Sequence, residues 1–321
     1  MEVTWMAWAG FLAFVIAMLA LDLGVFHRNA HVVSFREAAG WSAVWVTLAL
    51  IFNAGLYFFV GAQPGTEFLT GYLIEKSLSV DNIFVFVVIF AALKIPAIYQ
   101  HRVLFWGILS ALVMRAIMIF AGVAMLERFH WLIYLFGGFL VLTGLKLIFR
   151  KEDDDAGTER LMNLVKRFVP TTDRFDGQNF WTKENGRWLA TPLLMALVLV
   201  EFTDVIFALD SIPAIFAVTR DPFIVFTSNI FAILGLRSLY FLLAGVVDRF
   251  KYLKYGLAAV LVFVGLKMAL VDIYKVPPFV SLGIIASMLT ISIVWSFVAT
   301  RREGHPLPLP SKPEAPPPAD Y

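Results

Sequence analysis

The sequence predicts an all-α polytopic membrane protein of about nine transmembrane helices, built as two inverted three-helix repeats plus three extra helices. Three observations predict it. Hydrophobic residues make up 60% of the 321, with mean hydropathy +0.79, against roughly 45–50% in soluble domains. Apolar runs near the ~20 residues that cross a bilayer recur along the chain. Two blocks of the sequence also carry the same residues in the same order.

The predicted segments fall at 5–26, 40–61, 67–93, 102–126, 131–149, 190–218, 223–247, 253–273 and 279–300. The first residues, Met-Glu-Val-Thr-Trp, lack the positive region of a cleaved signal, so the first run reads as a retained helix. The interval 150–189 is polar and contains Glu152-Asp-Asp-Asp155. Within it Leu161, Leu164, Val165 and Phe168 share one helical face beside Arg160, Lys166 and Arg167, which suits a short helix on the membrane surface. Asn185-Gly186 after Phe180-Trp181 suits a hairpin turn, and Trp188 suits the interface. Beyond Arg302 lie seven of the 15 prolines, a composition expected to be extended or disordered. The chain therefore divides into one transporter domain, 1–302, and a Pro-rich tail, 303–321. Within the domain, repeat one spans about 67–149, the loop 150–189, and repeat two about 190–273.

Lys and Arg set the expected orientation. One side, holding the loops at 27–39, 94–102 and 150–189, the 248–254 region and the C-terminus, carries eighteen of the 26; the other carries Arg128, Arg220 and Lys275. The remainder, Lys76, Arg115, Lys146, Arg237 and Lys267, lie within segments. The bias places the C-terminus in the cytoplasm and, after nine crossings, the N-terminus outside.

The repeat is read from matched landmarks. Ser110-Ala-Leu-Val-Met-Arg115 echoes Phe231-Ala-Ile-Leu-Gly-Leu-Arg237, Glu127-Arg-Phe129 echoes Asp248-Arg-Phe250, Tyr134 echoes Tyr255, and Gly144-Leu-Lys146 echoes Gly265-Leu-Lys267, the last three at an offset of 121. Glu75 and Asp81 are spaced like Asp204 and Asp210, at an offset of 129. Each copy has three crossings, an odd number, so the copies point opposite ways. Such a pair, with a site at its interface near the midplane, is a transporter design.

The chemistry concentrates in two stretches, Glu75-Lys-Ser-Leu-Ser-Val-Asp81-Asn82 and Glu201-Phe-Thr-Asp-Val-Ile-Phe-Ala-Leu-Asp210-Ser-Ile-Pro213. An acid at the bilayer centre costs roughly 2.5–3.5 kcal/mol on insertion scales, so it is expected to face a cavity, a partner or an ion. Pro213 removes a backbone donor and predicts a broken helix. Two copies meeting about a pseudo-twofold axis would gather five carboxylates as metal ligands: Glu75, Asp81, Glu201, Asp204 and Asp210. Five packed acids raise each other's pKa values, a conflict that a divalent cation removes. With no cysteine and with every histidine at or beyond a segment end, the ligands are all oxygen, which suits Mg²⁺, Ca²⁺ or Mn²⁺ over copper or zinc. Protons on the same carboxylates when metal leaves would give proton-coupled exchange. Arg115 and Arg237 read as countercharges for the empty site or as plain ion-pair partners. Lys146 and Lys267 read as snorkelling cations. Asn82 and Asn229 read as amide-oxygen donors or helix–helix bonds, and Met114, Met118 and Met195 as core. Asp22 and Asp272, near segment ends, read as hydrated.

No Gly-Lys-Ser/Thr phosphate loop is present, so ATP-driven pumping is unsupported. No nucleophile–base arrangement is found either, so an enzyme is not expected. A net charge of +2 does not suggest nucleic acid.

The segments Gly71–Asn82 and Glu201–Thr219 resemble the signature motifs of the TerC family of integral membrane proteins, most closely its Alx branch, and the similarity runs from about residue 5 to 300. The resemblance implies a bacterial inner-membrane protein of the lysine-exporter-like superfamily. It also implies Mn²⁺ export, with links to tellurium resistance and to the response to alkaline pH, and puts the family's acidic positions on the same five residues. An acidic site repels an oxyanion, so tellurite itself is not the expected substrate. The expected partners are the lipid bilayer, Mn²⁺ as cargo and H⁺; no organic cofactor is expected. The rivals are a Ca²⁺ exporter, a membrane protein that loads Mn into secreted or membrane metalloenzymes, and a structural membrane protein.

Overall fold

The computed structural model describes residues 4–21, 33–129, 131–149, 170–184, 186–244, 252–274 and 276–302, without the side chains of residues 21, 81, 84, 297 and 300–302. The expected surface helix at 161–168, the Pro-rich tail and Asp22 lie outside the described residues.

Each of the nine predicted segments contains helix among the described residues. The helices are α1 (Trp5–Leu21), α2 (Phe35–Gly55, extended by a π turn, Leu56–Val60), α3 (Ala62–Ala92), α4 (Ala97–Arg128), α5 (Leu132–Phe149), α6 (Pro192–Phe216), α7 (Pro222–Leu234) with α8 (Leu236–Leu243), α9 (Leu253–Ala269) and α10 (Pro278–Arg302). Six of these spans are long and apolar enough to cross a membrane by composition alone. The 31 residues of α3 exceed the length needed, but Glu67, Glu75, Lys76 and Asp81 interrupt its apolar run. The hairpin at 181–190 is present: β1 (Trp181–Glu184) pairs antiparallel with β2 (Arg187–Ala190), and Gly186 takes φ +79° in the turn.

Local chemistry fixes the helix starts. Ser34 caps α2 by accepting the Glu37 N–H. Asp221 caps α7, accepting from Phe223 N at 2.9 Å and Ile224 N at 3.3 Å, with Pro222 in the first turn where its missing donor costs nothing. The expected break at Pro213 does not occur. α6 continues through it to Phe216, so the proline removes one backbone donor, the one opposite the carbonyl of Leu209, without ending the helix. The discontinuity lies instead at Gly235, between α7 and α8. A Cβ there would meet Lys76 Nζ at 2.8 Å and Trp45 Cβ at 3.2 Å, and Lys76 Nζ donates to Ala232 O at 3.3 Å near the α7 carboxyl end.

α5 and α9 pack antiparallel, backbone against backbone. A Cβ on Gly137 would lie 2.8 Å from Gly265 O, and one on Gly144 2.8 Å from Ala258 O. The 121-residue offset exchanges these two contacts, since Gly137 corresponds to Ala258 and Gly144 to Gly265. Val141 and Val262, also equivalent, cover Gly265 and Gly144 respectively. The contact pattern therefore has the pseudo-twofold symmetry of an inverted repeat. α1 and α2 wrap this framework, with Trp8, Phe11 and Phe52 against Phe223, Phe226 and Phe231 of α7. Of the methionines, Met195 is core, whereas Met114 faces outward.

Candidate functional site

α3 and α6 run antiparallel across the repeat interface. Asn82 Nδ2 donates to Asp204 Oδ1 at 3.4 Å, and a Cβ on Gly71 would meet Ile215; both pairs define one register, which sets Glu75 level with Ser211. α4 crosses beside them and delivers Arg115, only 1% exposed. Its guanidinium donates to Asp204 through Nε at 3.1 Å and Nη2 at 2.7 Å, and through Nη1 to Glu75. Glu75 and Asp204 are repeat equivalents, so one arginine holds the matching acids of both copies. The fork against Asp204 is bidentate, the geometry for which guanidinium is suited. Apolar clusters flank this polar layer. Ile74, Leu78, Ile119, Ala208 and Ile212 belong to one, and Ile83, Leu104, Ile108, Leu199 and Val200 to the other.

Glu201 and Asp210 are held by hydroxyls and not by Arg115. Glu201 accepts from Ser110 Oγ of α4, beside Gly107, and lies within electrostatic reach of Asp204. Asp210, six residues beyond Asp204 on an unbroken helix and so about 120° round it, faces α5 and accepts from Thr143 Oγ1 at 3.1 Å, with Lys146 in electrostatic reach. Arg237, the counterpart of Arg115, lines a small pocket with Trp41, Trp45 and Phe241 near α8. Asn229 is fully buried. Asp272 accepts from Tyr134 Oη. The side chain of Asp81 lies outside the described residues. Among the described residues no three His, Cys, Asp or Glu side chains gather so as to hold a metal. Of the four acids whose side chains are described, Glu75 and Asp204 share Arg115, and Glu201 and Asp210 are each held by a hydroxyl.

A cavity of about 700 Å³ opens at the end of the bundle where α3 begins and α6 ends. Gln63, Glu67, Phe216, Thr219, Lys267 and Tyr274 contribute to its wall. Glu67 accepts from Gln63 Nε2 at 2.7 Å and lies two turns from Glu75 on the same α3 face. Sequence reasoning missed Glu67, although that spacing signalled it. It also missed Ser110 and Thr143, for which no signal existed, since membrane serines and threonines commonly bond their own helix, as Ser77 does to Leu73 O at 2.6 Å.

Residues 60–304 match the integral membrane protein TerC family. The chain belongs to the TerC family. It is 70% identical over 295 residues to an uncharacterized membrane protein of Myxococcus xanthus, covering 92% of both chains. It is 50% identical over 297 residues to the Escherichia coli (strain K12) protein Alx, whose name describes it provisionally as a membrane-bound redox modulator, covering 89% of this chain and 92% of that one. A Rickettsia bellii membrane protein is 40% identical over 294 residues, covering 91% and 97%. No solved structure matches. In this TerC chain the two stretches that carried the resemblance lie on α3 and α6, the antiparallel pair that meets across Arg115.

Proposed function

We propose that this chain is a secondary-type transporter that exports Mn²⁺ from the cytoplasm across the bacterial inner membrane, with the C-terminus cytoplasmic and the N-terminus outside. One observation carries the reading: two buried carboxylates, one from each inverted copy, flank a single guanidinium. Glu75 and Asp204 together carry two negative charges at the repeat interface. Arg115 balances one of them and occupies the space between, so a cation and Arg115 compete for the same oxygens. Withdrawal of the guanidinium leaves a doubly negative, all-oxygen pair suited to a divalent ion. Mn²⁺ is favoured among such ions by the TerC resemblance. The Lys and Arg bias supports an outer position for the cavity beside Glu67, and the TerC resemblance supports export as the direction. The zero cysteine count leaves the chain without a thiol couple of its own, so an ion flux is the simpler source of any redox effect.

The test is Mn²⁺ uptake into inverted vesicles, comparing the native chain with Glu75→Gln, Asp204→Asn, Asp81→Asn and Asp210→Asn. Loss of uptake with the first two supports the site; equal uptake in all five refutes it. Competition by Ca²⁺ at equal concentration would reassign the cargo.

A further inference from the structure

The pseudo-twofold that exchanges the copies carries α3 onto α6 at an offset of 129 and α4 onto α7 at 121. Packing obeys it. A Cβ on Gly107 of α4 would meet Val200 of α6 at 3.1 Å, and a Cβ on Gly71 of α3 would meet Ser228 of α7 at 2.9 Å. Gly107 and Ser228 are counterparts, and so are Val200 and Gly71. The polar layer breaks the symmetry. Asn82 Nδ2 donates to Asp204 Oδ1 at 3.4 Å. The counterparts of Asn82 and Asp204 are Ser211 and Glu75, which the α3–α6 register sets level with each other. That second bond is not made. Ser211 Oγ and Glu75 Oε2 are both without a hydrogen-bond partner, and both residues are only 1% exposed. Nor does Ser211 bond back to its own helix, as Ser77 and Ser228 do.

Alternating access moves one inverted copy against the other. A twofold that exchanges the copies turns a state open at one end into a state open at the other. A contact made in one state is then replaced by its counterpart in the other. We propose that Ser211 is a positioning residue for this exchange: its hydroxyl donates to Glu75 Oε2 in the oppositely facing state, in which the Asn82–Asp204 bond is open. The state described above is the one open at the cavity beside Glu67. Each state thus gives a neutral donor to one of the two acids that Arg115 joins, and neither state satisfies both donors. Arg237 takes no part, although it is the counterpart of Arg115, because it lies beside Trp41 and Trp45 of α2, a helix outside the repeat. Ser79 is as buried and as unpartnered as Ser211, but its counterpart is Ala208, which has no polar group to trade with. The role rests on the alternating access of the proposed transporter and not on its cargo.

Two single cysteines in the otherwise cysteine-free chain read the exchange. Thr219→Cys reports opening at the cavity. Ala196→Cys, at the counterpart of Glu67 and fully buried here, reports opening at the other end. The ratio of their labelling rates, Ala196→Cys over Thr219→Cys, is measured on purified protein in detergent with a water-soluble thiol reagent, and it follows the ratio of the two states. Ser211→Ala should lower this ratio about tenfold, the equivalent of about 1.4 kcal/mol, because it removes a bond of the other state. Asn82→Ala should raise it by a similar factor. The double variant should return it close to native, and Ser79→Ala should leave it there. Gel filtration confirms that each variant is folded. A ratio that Ser211→Ala leaves unmoved or raises, or that Ser79→Ala lowers as much, overturns the role. So does an Ala196→Cys that never reacts in any variant. Mn²⁺ uptake by the native chain beside an unmoved ratio removes Ser211 and leaves the transport reading intact. The expected shifts without any Mn²⁺ uptake keep Ser211 and remove Mn²⁺ as the cargo.

Discussion

Gly137 of α5 and Gly265 of α9 meet without side chains between them: a Cβ on Gly137 would stand 2.8 Å from Gly265 O, and a Cβ on Gly265 would stand 2.6 Å from Gly137 O. This contact is the seam of the duplicated chain. Small residues at such crossings let helix backbones approach in lipid, where no hydrophobic drive pushes helices together. Backbone cannot move aside as a flexible side chain can, so Gly265→Leu should cost about 1–3 kcal/mol of overpacking or more. Gly144→Leu, at the equivalent contact, should cost a similar amount, while Gly138→Leu, where nothing lies within 4 Å, should cost little. Thermal melts of the three variants in detergent check the ranking. A Gly144→Leu melt equal to native would break the symmetry argument.

Arg115 is the second test. Removing it strands two buried carboxylates, a loss of about 3–5 kcal/mol for a broken buried pair. Arg115→Lys should recover only part of this, since an ammonium cannot reproduce the bidentate fork on Asp204. If cation and guanidinium compete for these oxygens, Mn²⁺ should raise the melting temperature of Arg115→Ala more than that of the native protein. An equal shift in both would separate Arg115 from the cation's place.

Much of this architecture was legible in the sequence, for stated reasons. Apolar runs give helices because a helix satisfies its own backbone within the bilayer, and each of the nine segments contains helix among the described residues. The repeat was readable because Gly144, Gly265 and the paired acids sit at equivalent places in two copies. The hairpin followed from Asn185-Gly186. What sequence could not give was direction. Asp210 and Asp204 share a motif, yet a continuous helix turns Asp210 toward Thr143 and away from Arg115. Pro213 suggested a break, but the helix runs through it to Phe216. Gly235 marks the true discontinuity, and its reason, the approach of Lys76 from α3, is a contact between residues far apart in the chain.

That approach gives a third prediction. Lys76 donates to Ala232 O at 3.3 Å where α7 stops, in place of the intrahelical donor the break removes. Lys76→Met should lose about 1–3 kcal/mol by leaving a buried acceptor without its partner. Gly235→Ala should pull in the same direction, because its Cβ would crowd the ammonium. The double variant Lys76→Met, Gly235→Ala should be less damaging than the sum of the two, since the truncated side chain vacates the contested space. Melts of the four proteins give this coupling energy, and strict additivity would dissociate Lys76 from the break.

The cavity supplies the last prediction. It is walled by Gln63, Glu67, Thr219 and Lys267 at the end of the bundle where α3 begins, which the Lys and Arg bias assigns to the outer side. Beneath it, α3 presses on α6 and α7 at Gly71, where a Cβ would meet Ser228 Oγ at 2.9 Å, so the opening stops short of Glu75. The native chain has no cysteine, which makes single-cysteine labelling clean. Thr219→Cys should react with a membrane-impermeant thiol reagent added to whole cells with a permeabilised outer membrane, and should be protected in inverted vesicles. Leu199→Cys, fully buried in the opposite apolar cluster, should stay unreactive in both. Saturating Mn²⁺ should slow labelling at Thr219→Cys if the ion passes this way. Labelling of Thr219→Cys only in inverted vesicles would invert the proposed orientation.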